Sequence, residues 1–346
     1  MTDYSPVRAQ AAQEAFEASA RMVQERRKAN PRETKLKLVS ARKTEFKAEE
    51  LYDAVFPPIS YLVPEIIAQG VTLLTSPPKV GKSWLALDLS LAVQRGGEVL
   101  DGRKCAKGEV LYCALEDTQR RVQQRMKRLI AEPPAPGLEI WTSLPRLNEG
   151  GEERLRGWVQ AQPNPRLIII DVFAKVRSLP RASEGIYQAD YRAIEPLKAI
   201  ADEFGIAVVA IHHTRKAEAV DWMAMTSGSN GLTGAVDATV SFIRDGNFVT
   251  FCGRGRDIEE FELAVEFDKM SCRWKVLGDA LEMKLGETRR AILAVLKASG
   301  SPLGPQKIAE VGRLSSGNVR VTIREMVKAG QLVKTARGQY ATAQSP

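Results

Sequence analysis

From residue 71 onward, short apolar runs alternate with segments of helical period. The runs at 71–75, 110–115, 167–170 and 206–211 are short and bounded by turn residues, so each reads as a buried strand. Between the first two, residues 82–95 carry apolar positions at helical spacing and stop at Gly96 and Gly97. Further helices are expected through Arg121 and Met126, near 152–160, and over 188–204. Strand and helix in alternation predict a mostly parallel sheet flanked by helices. After residue 238 the pattern changes to short β-rich runs, 239–244, 248–252 and 263–267, separated by Asp245-Gly246-Asn247 and Gly253. These predict antiparallel strands with a hairpin at Asp245-Gly246. No internal repeat recurs at a period of roughly 20 to 50 residues, which argues against a solenoid.

The two ends of the chain differ from this middle. Residues 1–50 are polar and charge-rich, with the run Arg26-Arg27-Lys28, and read as a partly helical arm. Phe56, Pro57, Pro58 and Pro64 punctuate the approach to the first clear strand. Residues 287–340 predict three helices, 288–298, 305–311 and 317–329, followed by a hairpin over 332–340, which is the pattern of a winged helix. Ser315 or Ser316 is expected to cap the third helix and Gly330 to stop it. On that helix Val319, Ile323, Met326 and Val327 share an apolar face, while Arg320, Arg324 and Lys328 recur every four residues on another. Cations at that spacing suit a DNA groove, with Lys334 and Arg337 offering phosphate contacts from the hairpin. A solvated face on a protein-interaction module is the alternative. The expected division is an arm at 1–50, an α/β nucleotide-binding domain at 51–280 and the winged helix at 286–346.

Composition narrows the class. At 346 residues, with 44% apolar and 27% charged residues, the chain is long enough for a sizeable core and a smaller companion, and too hydrophobic for a disordered protein. No apolar run approaches the roughly 20 residues needed to span a bilayer, and residues 1–10 have no apolar signal segment, so a cytoplasmic location and no membrane partner are expected. Cys105, Cys113, Cys252 and Cys272 have no C-x-x-C spacing and the only histidines are His212 and His213, so no zinc site is expected. The formal charge is +8, and residues 287–346 hold ten Lys and Arg against three Asp and Glu. A basic excess confined to one segment points to a local polyanion-binding surface.

The chemistry gathers where the strands end. Ser76-Pro77-Pro78-Lys79-Val80-Gly81-Lys82-Ser83 follows a strand and opens a helix, the setting a phosphate-binding loop requires. Its backbone N–H groups are expected to point at phosphates, with Lys82 reaching the β/γ oxygens of ATP and the Ser83 hydroxyl joining the Mg²⁺ shell. Trp84 completes the expected nucleotide-contacting run. The first glycine of the general G-x-x-x-x-G-K-[ST] pattern is Ser76 here. Leu167-Ile-Ile-Ile-Asp171 fits a strand-end carboxylate that holds Mg²⁺, against the plainer reading of a cap for the next turn. Glu116 is placed to orient or deprotonate the attacking water, while Asp117 can do this or cap the following helix. A neutral imidazole at His213, ahead of His212, can donate a hydrogen bond to a γ-phosphate oxygen.

Together these residues resemble the RepA-like hexameric helicases of plasmids and phages, within the RecA and DnaB-like AAA family ATPases. The resemblance spans about 64–274 and rests on the 76–83 loop, Tyr112-Cys-Ala-Leu-Glu-Asp117, Leu167-Ile-Ile-Ile-Asp171, Ile211-His-His-Thr214 and Arg254-Gly-Arg256. In that group a serine at the first loop position is familiar. The resemblance implies that Glu116 acts on the lytic water, that His213 senses the γ-phosphate, and that Arg256, with Arg254 as companion, enters the neighbouring subunit's site. A solvated β-turn around Gly253 and Gly255 is the plain alternative for the arginines. It also implies that the loops after Asp171 and His213 touch single-stranded DNA, with Lys175, Arg177 and Arg181 in the first, Arg215 and Lys216 in the second, and Gly228, Ser229, Gly231 and Gly234 loosening the second.

The expected protein is therefore a RecA-like P-loop ATPase core with a C-terminal winged helix, using ATP and Mg²⁺ as a ring-forming, hexameric DNA helicase. Its partners are single-stranded and double-stranded DNA. A non-unwinding ATP switch, such as a helicase loader, recombination mediator or regulator, is the alternative, and a defence-associated ATPase is a third reading.

Overall fold

The computed structural model describes residues 45–52, 54, 58–213, 222–225, 230–245 and 248–343. The chain divides into two units, Met1–Pro58 and Ile59–Pro346. Within the first, the described residues include a short helix, Ala48–Tyr52; most of the expected arm lies outside the described residues.

The second unit is organised by a nine-stranded sheet. Its strands, in chain order, are β1 (Gly70–Ser76), β2 (Glu109–Ala114), β3 (Leu138–Trp141), β4 (Pro165–Asp171), β5 (Ala207–His213), β6 (Ala238–Asp245), β7 (Phe248–Gly255), β8 (Phe261–Asp268) and β9 (Arg273–Asp279). In space they run β9-β8-β7-β6-β1-β5-β4-β2-β3. From β3 to β6 all neighbours pair parallel, and β6 to β9 form an antiparallel meander. The crossovers are helices α1 (Lys82–Arg95), α2 (Gln119–Leu129), α3 (Gly151–Ala161), α4 (Ile186–Phe204) and the short α5 (Asn230–Ala235).

Parallel strands covered on both faces need apolar residues at every position, which is why 167–170 is a continuous apolar run. Leu167 and Ile169 enter the core formed with α1 and α2, through Leu85, Leu89, Val93 and Val122. Ile168 and Ile170 enter the opposite core, with Leu155 of α3, Leu197 and Ile200 of α4, and Leu232 of α5. The period of two in side-chain direction thus feeds two separate cores from one strand.

Several boundaries differ from the sequence expectation. β5 runs through both histidines rather than stopping at Ile211, because Thr75 and Ser76 of β1 continue to pair with His212 and His213. β7 runs on to Gly255, so Arg254 stands on a strand facing Thr239 and not in a solvated turn. The hairpin at Asp245-Gly246 has its strands in place, with Asp245 opposite Phe248, and its tip at 246–247 lies outside the described residues. Two strands had no clear signal. β3 is four residues long after a proline-rich stretch, and β9 alternates charged with apolar residues in a segment that also reads as surface.

The C-terminal segment is three helices, α6 (Ala280–Ser299), α7 (Pro305–Gly312) and α8 (Ser316–Lys328), with a two-stranded ribbon of β10 (Leu332–Ala336) and β11 (Gln339–Thr342). α6 starts well before the expected 288, because the Asp279 carboxylate caps it by accepting from the Glu282 N–H at 3.0 Å. The boundary expected between 280 and 286 is therefore spanned by a continuous helix, with Gly286 inside it. Ser315 occupies the cap position of α8 without a side-chain cap bond. Ile292 and Leu296 of α6 pack with Ile308, Ala309, Val319, Ile323, Met326 and Leu332 in a separate core. Leu303 bridges to Tyr340, tying the α6–α7 connection to the ribbon. Among the described residues, no helix is long and apolar enough to cross a membrane.

The edge of the sheet opposite the strand ends is closely fitted around Asp237. Gly70 has φ 104°, and a Cβ there would stand 2.5 Å from Asp237 Oδ2. Gly70→Ala combines left-handed strain with this clash and is expected to destabilise the fold by roughly 2–4 kcal/mol, measured by urea unfolding.

Candidate nucleotide site

Register alone brings the site together. Ser76 at the end of β1 pairs with His213 at the end of β5, and Ala114 at the end of β2 pairs with Asp171 at the end of β4. All four positions fall on the carboxyl edge of the parallel strands, where α/β sheets bind ligands.

The loop from β1 to α1 turns through two left-handed residues, Lys79 at φ 63° and Gly81 at φ 119°. Gly81 occupies the cap position of α1 with no side-chain cap bond, so the positive end of the helix is left to a ligand. The loop is braced from below by Trp274 of β9. Its indole Nε1 donates to the Gly81 carbonyl at 3.4 Å, and its ring lies 3.2 Å from where a Gly81 Cβ would stand. Trp274 in turn stacks on Phe242 at 4.4 Å. Sequence reasoning missed Trp274, since β9 itself was missed.

Lys82 is folded back onto its own loop. Its Nζ donates to the Ser76 hydroxyl at 2.7 Å, to the Ser76 carbonyl at 3.0 Å and to the Pro77 carbonyl at 3.2 Å. The serine that departs from the general pattern thus has a physical role here, as an acceptor for the lysine. Nζ also lies 3.2 Å from His213 Nδ1. An ammonium has no acceptor, so Nδ1 accepts and the imidazole proton sits on Nε2, which faces Glu116 Oε2 at 3.9 Å. His212 is buried and turns edge-on to Phe173, away from the loop.

Asp171 is only 4% exposed. Tyr112 donates to its Oδ2 at 3.0 Å, and the Ser83 side chain hydrogen-bonds to it as well. Burial raises the Asp171 pKa, opposed by those two bonds. Tyr112 lies within the sequence motif, yet its role as a partner of Asp171 needed the register of β2 against β4 to be seen. The two acidic residues after β2 separate cleanly. The Asp117 side chain is 8% exposed and held by Arg121 at 2.8 Å and by Arg125, while the Glu116 side chain is 49% exposed and faces His213. Thr118, not Asp117, caps α2, accepting from the Arg121 N–H.

The remaining residues are not at this edge. Arg254, opposite Thr239 and so level with Leu73 in the middle of β1, pairs with Glu260 at 2.5 Å, and Arg256 pairs with Asp237 at 3.5 Å beside the start of β1. In the loop after Asp171, Arg177 is committed to the buried Asp190 at 2.6 Å, whereas Lys175 and Arg181 are exposed. Arg215, Lys216, Gly228 and Ser229 lie outside the described residues, while Gly231 and Gly234 fall on α5. Trp84 is flanked by Phe267, at 6.0 Å, and by the guanidinium groups of Arg125 and Arg128, each 5.6 Å from its ring centre.

This arrangement fits a polyphosphate with a divalent cation. The hard oxygen donors Ser83 and Asp171 stand together at the mouth of a helix N-terminus, next to a lysine and a histidine N–H. Among the described residues no group of three or more His, Cys, Asp or Glu is placed to hold a metal ion. Burial lowers the Lys82 pKa to about 8, against the pull of Asp171 and Glu116. Burial thus favours the neutral amine, and a bound polyphosphate restores the proton. At pH 8 nucleotide binding is expected to take up about half a proton per site, falling towards zero as pH drops to about 6.5. Calorimetry in buffers of different ionisation enthalpy measures this, and Lys82→Met should abolish it.

Comparison with known proteins places these features in a family. The profile of the AAA domain family matches residues 39–219, just over half of the chain. Two solved structures are similar in fold. One, described as an ATPase domain, has 14% identity and a TM-score of 0.47 over 76% of this chain and 98% of its own. The other, described as "The Structure Of A DnaB-Like Replicative Helicase And Its Interactions With Primase", has 15% identity and a TM-score of 0.45 over 62% of this chain and 57% of its own. The profile match and the phosphate loop agree: the chain belongs to the AAA domain family, an ATP hydrolase whose phosphate loop leaves a largely parallel sheet.

Proposed function

We propose that this protein is a ring-forming, ATP-driven DNA helicase of plasmid or phage replication, hexameric and cytoplasmic. The observation that carries the reading is the separation of its charged groups. Lys82, Ser83, Glu116, Asp171 and His213 meet at one edge of the sheet, while Arg256 stands at the opposite edge, 61% exposed. Arg256 does not complete the site of its own chain, whereas a neighbour in a ring can use it.

In this reading the run from Ser76 to Trp84 holds ATP, with Lys82 exchanging its loop carbonyls for phosphate oxygens. Ser83 and Asp171 hold Mg²⁺, which neutralises phosphate charge when bound. Glu116, exposed and beside His213, orients and deprotonates water. His213 donates from Nε2 to the γ-phosphate and so distinguishes ATP from ADP. Arg256, accompanied by Arg254, supplies positive charge to the transition state of the adjacent subunit. Lys175 and Arg181, exposed after β4, contact the backbone of single-stranded DNA.

The C-terminal unit, 286–346, is assigned as a winged helix that binds duplex DNA, beside an ATPase domain at 51–280 and an arm at 1–50. Its support is the face of α8 opposite the buried Val319, Thr322, Ile323 and Met326, where Arg320, Arg324 and Lys328 are all exposed. Lys334 and Arg337 are exposed on and beside the ribbon. That cationic face also supports the second reading, an ATP switch anchored on duplex DNA that does not unwind it.

Strand separation on a duplex with single-stranded tails decides between them. The wild type should unwind with ATP, and Lys82→Ala should not. Glu116→Gln is expected to lower DNA-stimulated turnover by roughly 10²–10⁴. ATP-dependent DNA binding without separation would establish the switch instead. For the C-terminal unit, each of Arg320→Ala, Arg324→Ala and Lys328→Ala should weaken duplex binding and lower the salt slope by about one, with little change in turnover without DNA. A salt slope equal to that of the wild type in all three would remove the DNA assignment.

A further inference from the structure

Arg256 is exposed, yet it is tied to Asp237 through both its backbone and its side chain. Its backbone N–H donates to the Asp237 carbonyl at 2.8 Å, and its Nη1 reaches Asp237 Oδ1 at 3.5 Å. The same oxygen receives Lys198 Nζ of α4 at 3.0 Å. The other oxygen, Oδ2, accepts the Val71 N–H of β1 at 2.8 Å. One carboxylate, 11% exposed, thus joins β1, α4 and the segment after β7. Lys198 also pairs with Asp202, so the two carboxylates and the two cations balance.

The backbone around it has little freedom. A Cβ on Gly255 would stand 2.7 Å from both the Asp237 carbonyl oxygen and the Ala238 side chain. Gly70 is similarly pressed against the Asp237 carboxylate. These contacts fix where the Arg256 chain leaves the sheet, and the carboxylate limits where its long side chain can swing.

We propose that Asp237 is a positioning residue for Arg256, holding the guanidinium at the sheet edge in the direction from which a neighbouring copy's phosphate takes it. This rests on the reading of Arg256 as a trans-acting group. Asp237 touches no nucleotide: it acts through Arg256, which it orders before assembly, so that less side-chain freedom is lost when the phosphate is met. Lys198 neutralises the carboxylate enough to leave the arginine weakly held and transferable. Asp237 bonds to the start of β1, whose far end carries the phosphate loop, so the arginine offered to a neighbour and the chain's own site share one strand.

The test is a double-mutant cycle on assembled full-length protein, reading turnover at saturating ATP. Asp237→Asn keeps an acceptor for the Val71 N–H and removes the charge that holds the guanidinium. It should lower turnover about tenfold, less than Arg256→Ala, with affinity for a non-hydrolysable ATP analogue unchanged because the chain's own site is distant. In an Arg256→Ala background it should have no further effect. An equal loss in both backgrounds, or a parallel loss of nucleotide affinity, would mean a structural role only and would overturn the proposal. If Arg256→Ala itself retains full turnover, the trans-acting reading falls and this proposal with it. If Asp237→Asn alone folds poorly because Lys198 loses its partner, the Asp237→Asn/Lys198→Gln pair, which restores charge balance, is carried through the same cycle with the same outcomes.

Discussion

Parallel hydrogen bonding among β1, β5, β4 and β2 is the constraint from which the rest follows. Its register sets Ser76 level with His213 and Ala114 level with Asp171, so the loops leaving those strands open at one height. Side chains alternate along a strand, and a slip of one residue would turn Asp171 away from Tyr112 and exchange His213 for His212. Such a slip is opposed from both sides at once, because each parallel strand feeds two apolar cores. The site is therefore held by the packing beneath it, and Ser76, Lys82 and Asp171 are themselves buried.

Much of this was legible in the sequence because it is local. The phosphate loop joins a strand to a helix within one short run, and the apolar residues before Asp171 announce a buried strand with a carboxylate at its end. What stayed hidden depends on pairing between distant segments. Tyr112 and Asp171 become partners only through the β2–β4 register, and Trp274 comes under the loop only when β9 closes the meander. The choice between Glu116 and Asp117 turns on Arg125, in the second turn of α2, which holds Asp117. Asp237 gave no signal at all. It follows an ordinary apolar pair, and its meaning lies in three neighbours that are all distant along the chain.

Charge at the nucleotide site is balanced within the protein. Lys82 borrows the oxygens of its own loop, and Asp171 takes hydrogen bonds from Ser83 and Tyr112. Nucleotide must therefore replace an internal set of partners. Its affinity is then a difference between two well-bonded states rather than the full worth of the new contacts.

The long helix of the C-terminal half has a mechanical side. α6 begins against the sheet, where Ala280 and Met283 pack with Phe248 and Ala264, and ends in the separate core around Ile292 and Leu296. At 20 residues it is about 30 Å long. The helix runs unbroken through Gly286, the one glycine between the two attachments, and no proline lies there. A small tilt of the meander would be carried along this strut as a displacement several times larger at the cationic face of α8, in the manner of a lever pivoting on the sheet edge.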